Sequence, residues 1–268
     1  MKLSVEHVTR YTWDAPVRGV VQSHRLTPAV FDGQRVLDWE VTVSDGIRGG
    51  RFRDGSGTQI QSWAVQGPVS EVVVTVRGRV ETQDLAGVLR GHRESLSPLV
   101  WLRDTAPTRA DVALHRLAHS VEAPDPLNLA HGLAAAVSEA IAYQPGITTA
   151  RTTAAEALGL GAGVCQDHAH ALISVARLRD LPARYVNGYL QANDDGSPHE
   201  AMHAWAEIWL ETLGWVGFDA ANRCCPDERY IRLGCGFDAG DAAPIRGIAR
   251  SMGREEMDVR VQVGAAQQ

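Results

Sequence analysis

Apolar and polar residues alternate with a period of two through much of the first 80 positions. Val72, Val74 and Val76 fall on one face of a strand, and Val73, Thr75 and Arg77 fall on the other. Similar stretches rich in Val, Ile, Thr and Trp cover 3–9, 36–44, 58–65 and 69–80, and Asp54-Gly55-Ser56-Gly57 is a turn signal between two of them. This pattern predicts a small antiparallel β module.

Near residue 100 the period becomes helical. Ala110, Leu114, Leu117, Ala118 and Val121 form one apolar stripe, and Pro124 and Pro126 interrupt it. Leu129, Leu133, Ala136, Val137 and Ala140 form a second stripe, which ends near Tyr143-Gln144-Pro145-Gly146. A short helix is predicted over 152–158. Glycines follow at 159, 161 and 163, and then a helix from about 165 to 180 that stops before Pro182. Ala169, Ala171, Leu172, Ile173, Val175, Ala176 and Leu178 make that helix apolar nearly all round, so it is expected at the centre of its domain. Strand periodicity returns at 183–191, 202–210 and 214–219, and more weakly at 229–234 and 256–263. The order β, then α, then β predicts an α+β fold rather than an alternating α/β sheet. The expected division is a β-rich N-terminal module over 1–100 and a core with C-terminal strands over 101–268, strands that could pack on either unit.

Composition removes several classes of function. The chain has 26 basic and 32 acidic side chains and a formal net charge of −6, which argues against nucleic-acid binding through a basic field. No apolar run approaches the ~20 residues that span a bilayer. The start, Met1 to His7, is charged and has no apolar signal region, so no membrane attachment is predicted and a soluble cytoplasmic protein is expected. Lys2 is the only lysine beside 25 arginines, a bias that does not discriminate between functions. The four cysteines, at 165, 224, 225 and 235, are too few and too uneven for a disulfide framework.

Cys165 follows the glycine-rich turn and opens the apolar helix. A helix N-terminus presents unsatisfied N–H groups and a partial positive charge, which stabilise a thiolate. The same groups can donate to the oxyanion of a tetrahedral intermediate, the Cys165 N–H being the first candidate. The alternative is a cysteine packed as a small apolar residue. A thiol nucleophile needs a base, and of ten histidines His203 is the best placed. On a strand it shares a face with Trp205, Glu207 and Trp209. The next strand, Trp215-Val216-Gly217-Phe218-Asp219, ends in a carboxylate that could orient an imidazole. The register decides whether it does. With Leu210 opposite Trp215, Asp219 faces away from His203. With an odd turn, Trp209 opposite Trp215, Asp219 opposes Trp205 and lies diagonal to His203, about 7–8 Å away between backbones.

The blocks Gly161-Ala162-Gly163-Val164-Cys165-Gln166-Asp167-His168-Ala169-His170, Leu181-Pro182-Ala183-Arg184-Tyr185-Val186-Asn187-Gly188-Tyr189, His203-Ala204-Trp205-Ala206-Glu207 and Gly214-Trp215-Val216-Gly217-Phe218-Asp219 resemble the bacterial transglutaminase-like superfamily. Thr148-Thr149 and the segment from Thr152 to Leu158 resemble its run-in to the cysteine. The first ~85 residues are similar to the β-rich region that often precedes this core. The resemblance implies a papain-like α+β core with Cys165 as nucleophile, His203 as general base and acid, and Asp219 as the group orienting the histidine. It also implies a peptide or protein substrate. Members include cross-linking enzymes, peptidases and amide hydrolases, and the bacterial members favour hydrolysis. Where the family commonly continues Asp-Pro-Thr-Asn, this chain reads Asp219-Ala220-Ala221-Asn222.

The remaining candidates carry blander alternatives. Gln166 and Trp205 are candidate substrate contacts, although Trp205, Trp209 and Trp215 also suit hairpin packing. Asp167 suits a first-turn acid complementing the helix dipole. Cys165, His168 and His170 do not share one helical face as metal ligands would, and no metal or other cofactor is expected. Cys224, Cys225 and Cys235 lack a chelating spacing and are expected to be structural or incidental. His7, His24, His92, His115, His119, His131 and His199 have no companion pattern. The glycines at 159, 161 and 163 are followed by no phosphate-loop residues.

Overall fold

The computed structural model describes residues 1–191, 202–250 and 253–266; His199 lies outside them. The N-terminal module is built on two long antiparallel strands, β1 (Lys2–His24) and β4 (Gln59–Thr82). The stretches predicted at 58–65 and 69–80 are therefore one strand. The break in periodicity between them marks register shifts where Pro16 of β1 and Pro68 of β4 interrupt the ladder, since proline has no N–H to donate. Two further strands, β2 (Gln34–Val43) and β3 (Gly46–Arg53), pair with successive parts of β4. Periodicity misses β3 because arginines at 48, 51 and 53 and glycines at 46, 49 and 50 leave no apolar face to read. Val72, Val74 and Val76 point inward, as alternation predicts, and pack with Leu3, Val5, Tyr11, Trp13 and Val80.

The core carries four helices: α1 (Val112–His119), α2 (Pro126–Ala140), α3 (Ala154–Leu160) and α4 (Cys165–Arg177). Two short strands, β5 (Ala142–Tyr143) and β6 (Ala162–Gly163), pair in parallel just before α4. An antiparallel sheet follows: β7 (Ala183–Leu190), β8 (His203–Leu210), β9 (Gly214–Phe218) and β10 (Tyr230–Gly236), in the order β10-β7-β8-β9. Helix α4 is buried almost all round and ends sooner than expected. Asp180 turns left-handed (φ 57°), its N–H bonds Arg177 O, and Leu181 N–H reaches back to Ala176 O. One face of the sheet packs on the helices through Ala204, Ala206, Ile208 and Val216. The other face gathers Val186, Trp205, Trp215 and Tyr230 with Trp101.

The last two strands, β11 (Ile245–Ala249) and β12 (Glu255–Ala265), return to the first sheet. Both pair with the outer edge of β1, β11 along Val20–His24 and β12 along Leu3–Trp13. The two units also share apolar packing, for Tyr189 of β7 and Ile231 and Leu233 of β10 sit in the core of the N-terminal module. Two buried polar contacts cross the same boundary. His7 Nδ1 meets the Tyr189 hydroxyl at 2.8 Å, and the Gln34 amide bonds the backbone of Arg232 in both directions. Among the described residues, no helix is long and apolar enough to cross a membrane.

Candidate active site

The turn before Cys165 is assembled from short-range constraints. Asp167 Oδ2 accepts the Val164 N–H at 2.8 Å and the Thr148 hydroxyl at 2.6 Å, so this first-turn acid also closes the turn before Cys165. A Cβ on Gly163 would lie 2.7 Å from the Asp167 side chain, which explains the glycine. The His168 ring spans Val164 O at 2.9 Å and Ile141 O at 2.8 Å, pinning the start of α4 to the end of α2. Cys165 and Gln166 then occupy the first two positions of α4, both half-buried. Their amides precede the first intrahelical hydrogen bond and remain available to an anion.

The β8–β9 hairpin has the odd register. Trp209 faces Trp215 and Leu210 faces Gly214, leaving a three-residue turn that Gly214 closes in the left-handed region (φ 77°). Continuing this register places Asp219 beside Trp205 and diagonal to His203, and their side chains meet: His203 Nε2 lies 2.5 Å from Asp219 Oδ2. The Cys165 side chain is near enough to His203 to influence its ionisation. With Nε2 committed to Asp219, Nδ1 is the ring nitrogen left for the sulfur. Burial alone would lower the His203 pKa, but the hydrogen bonds and negative charges of Asp219 and Cys165 outweigh it and raise the pKa to about 10. The site thus favours an imidazolium at neutral pH.

Sequence patterns did not reveal what surrounds Asp219. Its Oδ2 also accepts the Asn222 amide at 2.7 Å and the Tyr230 hydroxyl at 2.8 Å, and its Oδ1 accepts the Asn222 N–H at 3.1 Å. Burial opposes the ionised form of Asp219, yet these donors and His203 hold its carboxyl below the usual range. The segment after Asp219 closes despite its Ala220-Ala221, through reciprocal backbone bonds between Asp219 and Cys224 and a left-handed Arg223 (φ 55°) whose Nε donates to Ser138 Oγ. Asn222 keeps the last residue of the family's Asp-Pro-Thr-Asn run, so its position could have suggested a role. Tyr230 lies eleven residues beyond Asp219 on another strand, and no local pattern marks it.

Trp205 is 3% exposed and lies beneath His203, its ring stacked at 6.3 Å and edge-on to Tyr230 at 5.5 Å. It supports the imidazole rather than opening onto solvent. Glu207, two residues further along the same face of β8, binds Arg184 and Arg232 at 2.7 Å each, and Arg184 also reaches Glu94 at 2.5 Å. All four cysteines are free. Cys224 Sγ lies 3.3 Å from the Tyr230 hydroxyl, Cys225 packs against the helical core, and Cys235 is buried. Among the described residues, no cluster of His, Cys, Asp and Glu is arranged to hold a metal ion.

Known proteins agree with this architecture. Residues 115–220 match the core of the transglutaminase-like superfamily, and residues 3–81 match the bacterial transglutaminase-like N-terminal region. The uncharacterised protein ML0607 of Mycobacterium leprae is 30% identical over 280 residues, covering 98% of each chain. The uncharacterised protein Rv2569c of Mycobacterium tuberculosis is 37% identical over 125 residues, 43% of this chain and 40% of that one. A crystal structure of a candidate cysteine protease from Cytophaga hutchinsonii shares the fold with a TM-score of 0.75 at 21% identity, over 100% of this chain and 91% of that one. The chain therefore belongs to the transglutaminase-like superfamily and carries the N-terminal region of its bacterial members.

Proposed function

We propose that the protein is a cysteine-nucleophile acyl-transfer enzyme that hydrolyses peptide or carboxamide bonds through a thioester on Cys165. The observation that carries this reading is the single imidazole of His203, which bonds Asp219 and has Cys165 as its other ionisable neighbour. The candidate cysteine protease from Cytophaga hutchinsonii, alike in fold, points the same way.

In the first step the Cys165 proton passes to His203 Nδ1, while the Asp219 carboxylate accepts the hydrogen bond from the Nε2 proton. The thiolate attacks the carbonyl carbon, and the oxygen that gains the electron pair is met by the N-terminal amides of α4. As the intermediate collapses, the C–N bond breaks and His203 Nδ1 gives its proton to the departing amine, leaving a thioester. Water then attacks the thioester while Nδ1 accepts its proton. The C–S bond breaks, releasing the carboxylic acid, and the sulfur departs as the thiolate that pairs again with the imidazolium. An amine in place of that water would give transamidation.

A glutamine-containing peptide incubated with and without a primary amine tests the choice of acceptor. Cleavage or deamidation that is indifferent to the amine is expected. Ammonia release coupled to amine incorporation would identify a transglutaminase instead. Alkylation of Cys165 by iodoacetamide at pH 6 is expected to be fast and to be lost in His203→Ala. Reactivity equal to that of a free thiol would overturn the enzymatic reading and favour a silent peptide-binding module.

A further inference from the structure

Tyr230 touches every part of the His203–Asp219 couple yet belongs to none of the segments that carry the nucleophile, the base or the carboxylate. Its hydroxyl proton goes to Asp219 Oδ2 at 2.8 Å, so the 3.3 Å contact with Cys224 makes the Cys224 thiol the donor to the Tyr230 oxygen. The Asn222 amide also approaches that oxygen, at 3.4 Å. The ring lies 5.8 Å from His203 and stands edge-on to Trp205. Asp219 Oδ2 is thus shared among three donors, and what Tyr230 withdraws from it is not available to the imidazole.

The N-terminal module holds this hydroxyl in place. Tyr230 is the first residue of β10, and the backbone is anchored two residues before it and two residues after it. Before it, the Thr82 hydroxyl at the end of β4 donates to Glu228 O. After it, Gln34 of β2 accepts the Arg232 N–H at 2.8 Å and donates to Arg232 O at 2.9 Å, while the same amide binds Ala29 O at 2.7 Å. Gln34 is buried, so its amide is a fixed clamp rather than a solvated contact.

We propose that Tyr230 is a positioning residue for the His203–Asp219 couple, and that the N-terminal β module holds it there through Thr82 and Gln34. This inference rests on the proposed role of His203 and Asp219. It gives the module a part in the chemistry of the core. Removing the Tyr230 hydroxyl frees Asp219 Oδ2 to bind the imidazolium more strongly, so His203 keeps its proton to higher pH. The ionisable and charged groups facing this trio are Cys165 of α4, and Cys224, Asp227 and Arg229 of the segment that leads into β10.

The test needs no natural substrate. Cys165 in the full chain is alkylated with iodoacetate across pH, and the modified peptide is quantified by mass spectrometry. Iodoacetate is an anion, so its rate falls as His203 loses its positive charge, and the alkaline limb reports that loss. Tyr230→Phe is expected to move this limb upward by about one pH unit, the scale of one charge-assisted hydrogen bond. Thr82→Val with Gln34→Leu is expected to move it in the same direction by less, and to add nothing in the Tyr230→Phe background. Cys224→Ala keeps the ring in place and carries the same readout should Tyr230→Phe fail to fold; it is expected to move the limb upward too. A lower rate with an unmoved limb would mean that Tyr230 is only packing, and would overturn the proposal. So would a shift from the Thr82 and Gln34 changes that simply adds to that of Tyr230→Phe. If His203→Ala leaves the alkylation rate unchanged, the reading of the site itself fails, whatever Tyr230 does.

Discussion

Glu207 on β8 and Asp219 just past the end of β9 are both buried, at 2% and 1% exposure, yet they are partnered in opposite ways. Glu207 meets Arg184 and Arg232, cations that do not lose their protons. Burial raises its pKa, but the two guanidinium groups more than reverse this and hold it at about 2. Asp219 meets one cation that can lose its proton, His203, and two neutral donors, Asn222 and Tyr230. A buried carboxylate facing fixed cations is a structural tie. The same carboxylate facing an imidazole is a setting for proton transfer. Burial alone does not separate the two; the identity of the partner does.

Exchanging the partners' chemistry should break this contrast most sharply at Asp219. Asp219→Asn is expected to lower the rate of substrate turnover by about 10³–10⁴-fold with a smaller loss of stability than Glu207→Ala, because it keeps the shape but releases the imidazole from its orientation. A steady-state assay beside a thermal melt checks both halves. Glu207→Ala is expected to do the reverse. It leaves two buried guanidinium groups without a counter-charge and should cost about 3–5 kcal/mol by chemical denaturation. A loss of turnover in Glu207→Ala larger than the loss of folded protein would erase the distinction.

The two carboxylates also divide the pH axis. Both have depressed pKa values in the folded chain, so their contributions are present above the unfolded carboxylate range and are lost as pH falls, for Glu207 through about 2. The His203 pKa is raised, so its contribution is complete below the ordinary histidine value of 6.5 and is lost as pH rises through about 10. Melting temperature is therefore expected to decline between these two values, and the decline should flatten in Asp219→Asn. The smallest effect belongs to the exposed cross-strand pairs of the first sheet. Arg77→Ala breaks a pair with Glu6 whose side chains are 69% and 49% exposed, and should cost under about 1 kcal/mol. A larger loss, or one insensitive to salt, would show that exposure does not weaken these pairs as supposed.

What could be read in the chain follows from how local each cause is. The alternation of Val72, Val74 and Val76, the all-round apolar helix opened by Cys165, and the residue count between His203 and Asp219 are local or nearly so. They anticipated the β module and the buried α4, and narrowed the hairpin to two registers, of which the odd one brings His203 to Asp219. Features that depend on distant segments were not legible. β3 is a strand because β4 offers it an edge, not because its own residues alternate. Trp205 could be named from its hairpin, but its place beneath His203 depends on Tyr230 arriving from β10. Cys224, without pattern in the chain, acquires a partner only when that tyrosine arrives.

The position of β1 bears on how the molecule comes into being. Its residues pair on one side with β4 and on the other with β11 and β12, so Leu3 lies opposite Ala265. During synthesis β1 must wait some 240 residues for its outer neighbours. Such distant pairing is slow to form and leaves a strand edge exposed in the meantime. The helical core, whose contacts lie closer together along the chain, can assemble while β1 still lacks half of its hydrogen-bond partners. Closure of the first sheet therefore waits for β11 and β12, and a chain stopped short of β11 presents a long open edge, the feature by which incomplete chains pair with one another.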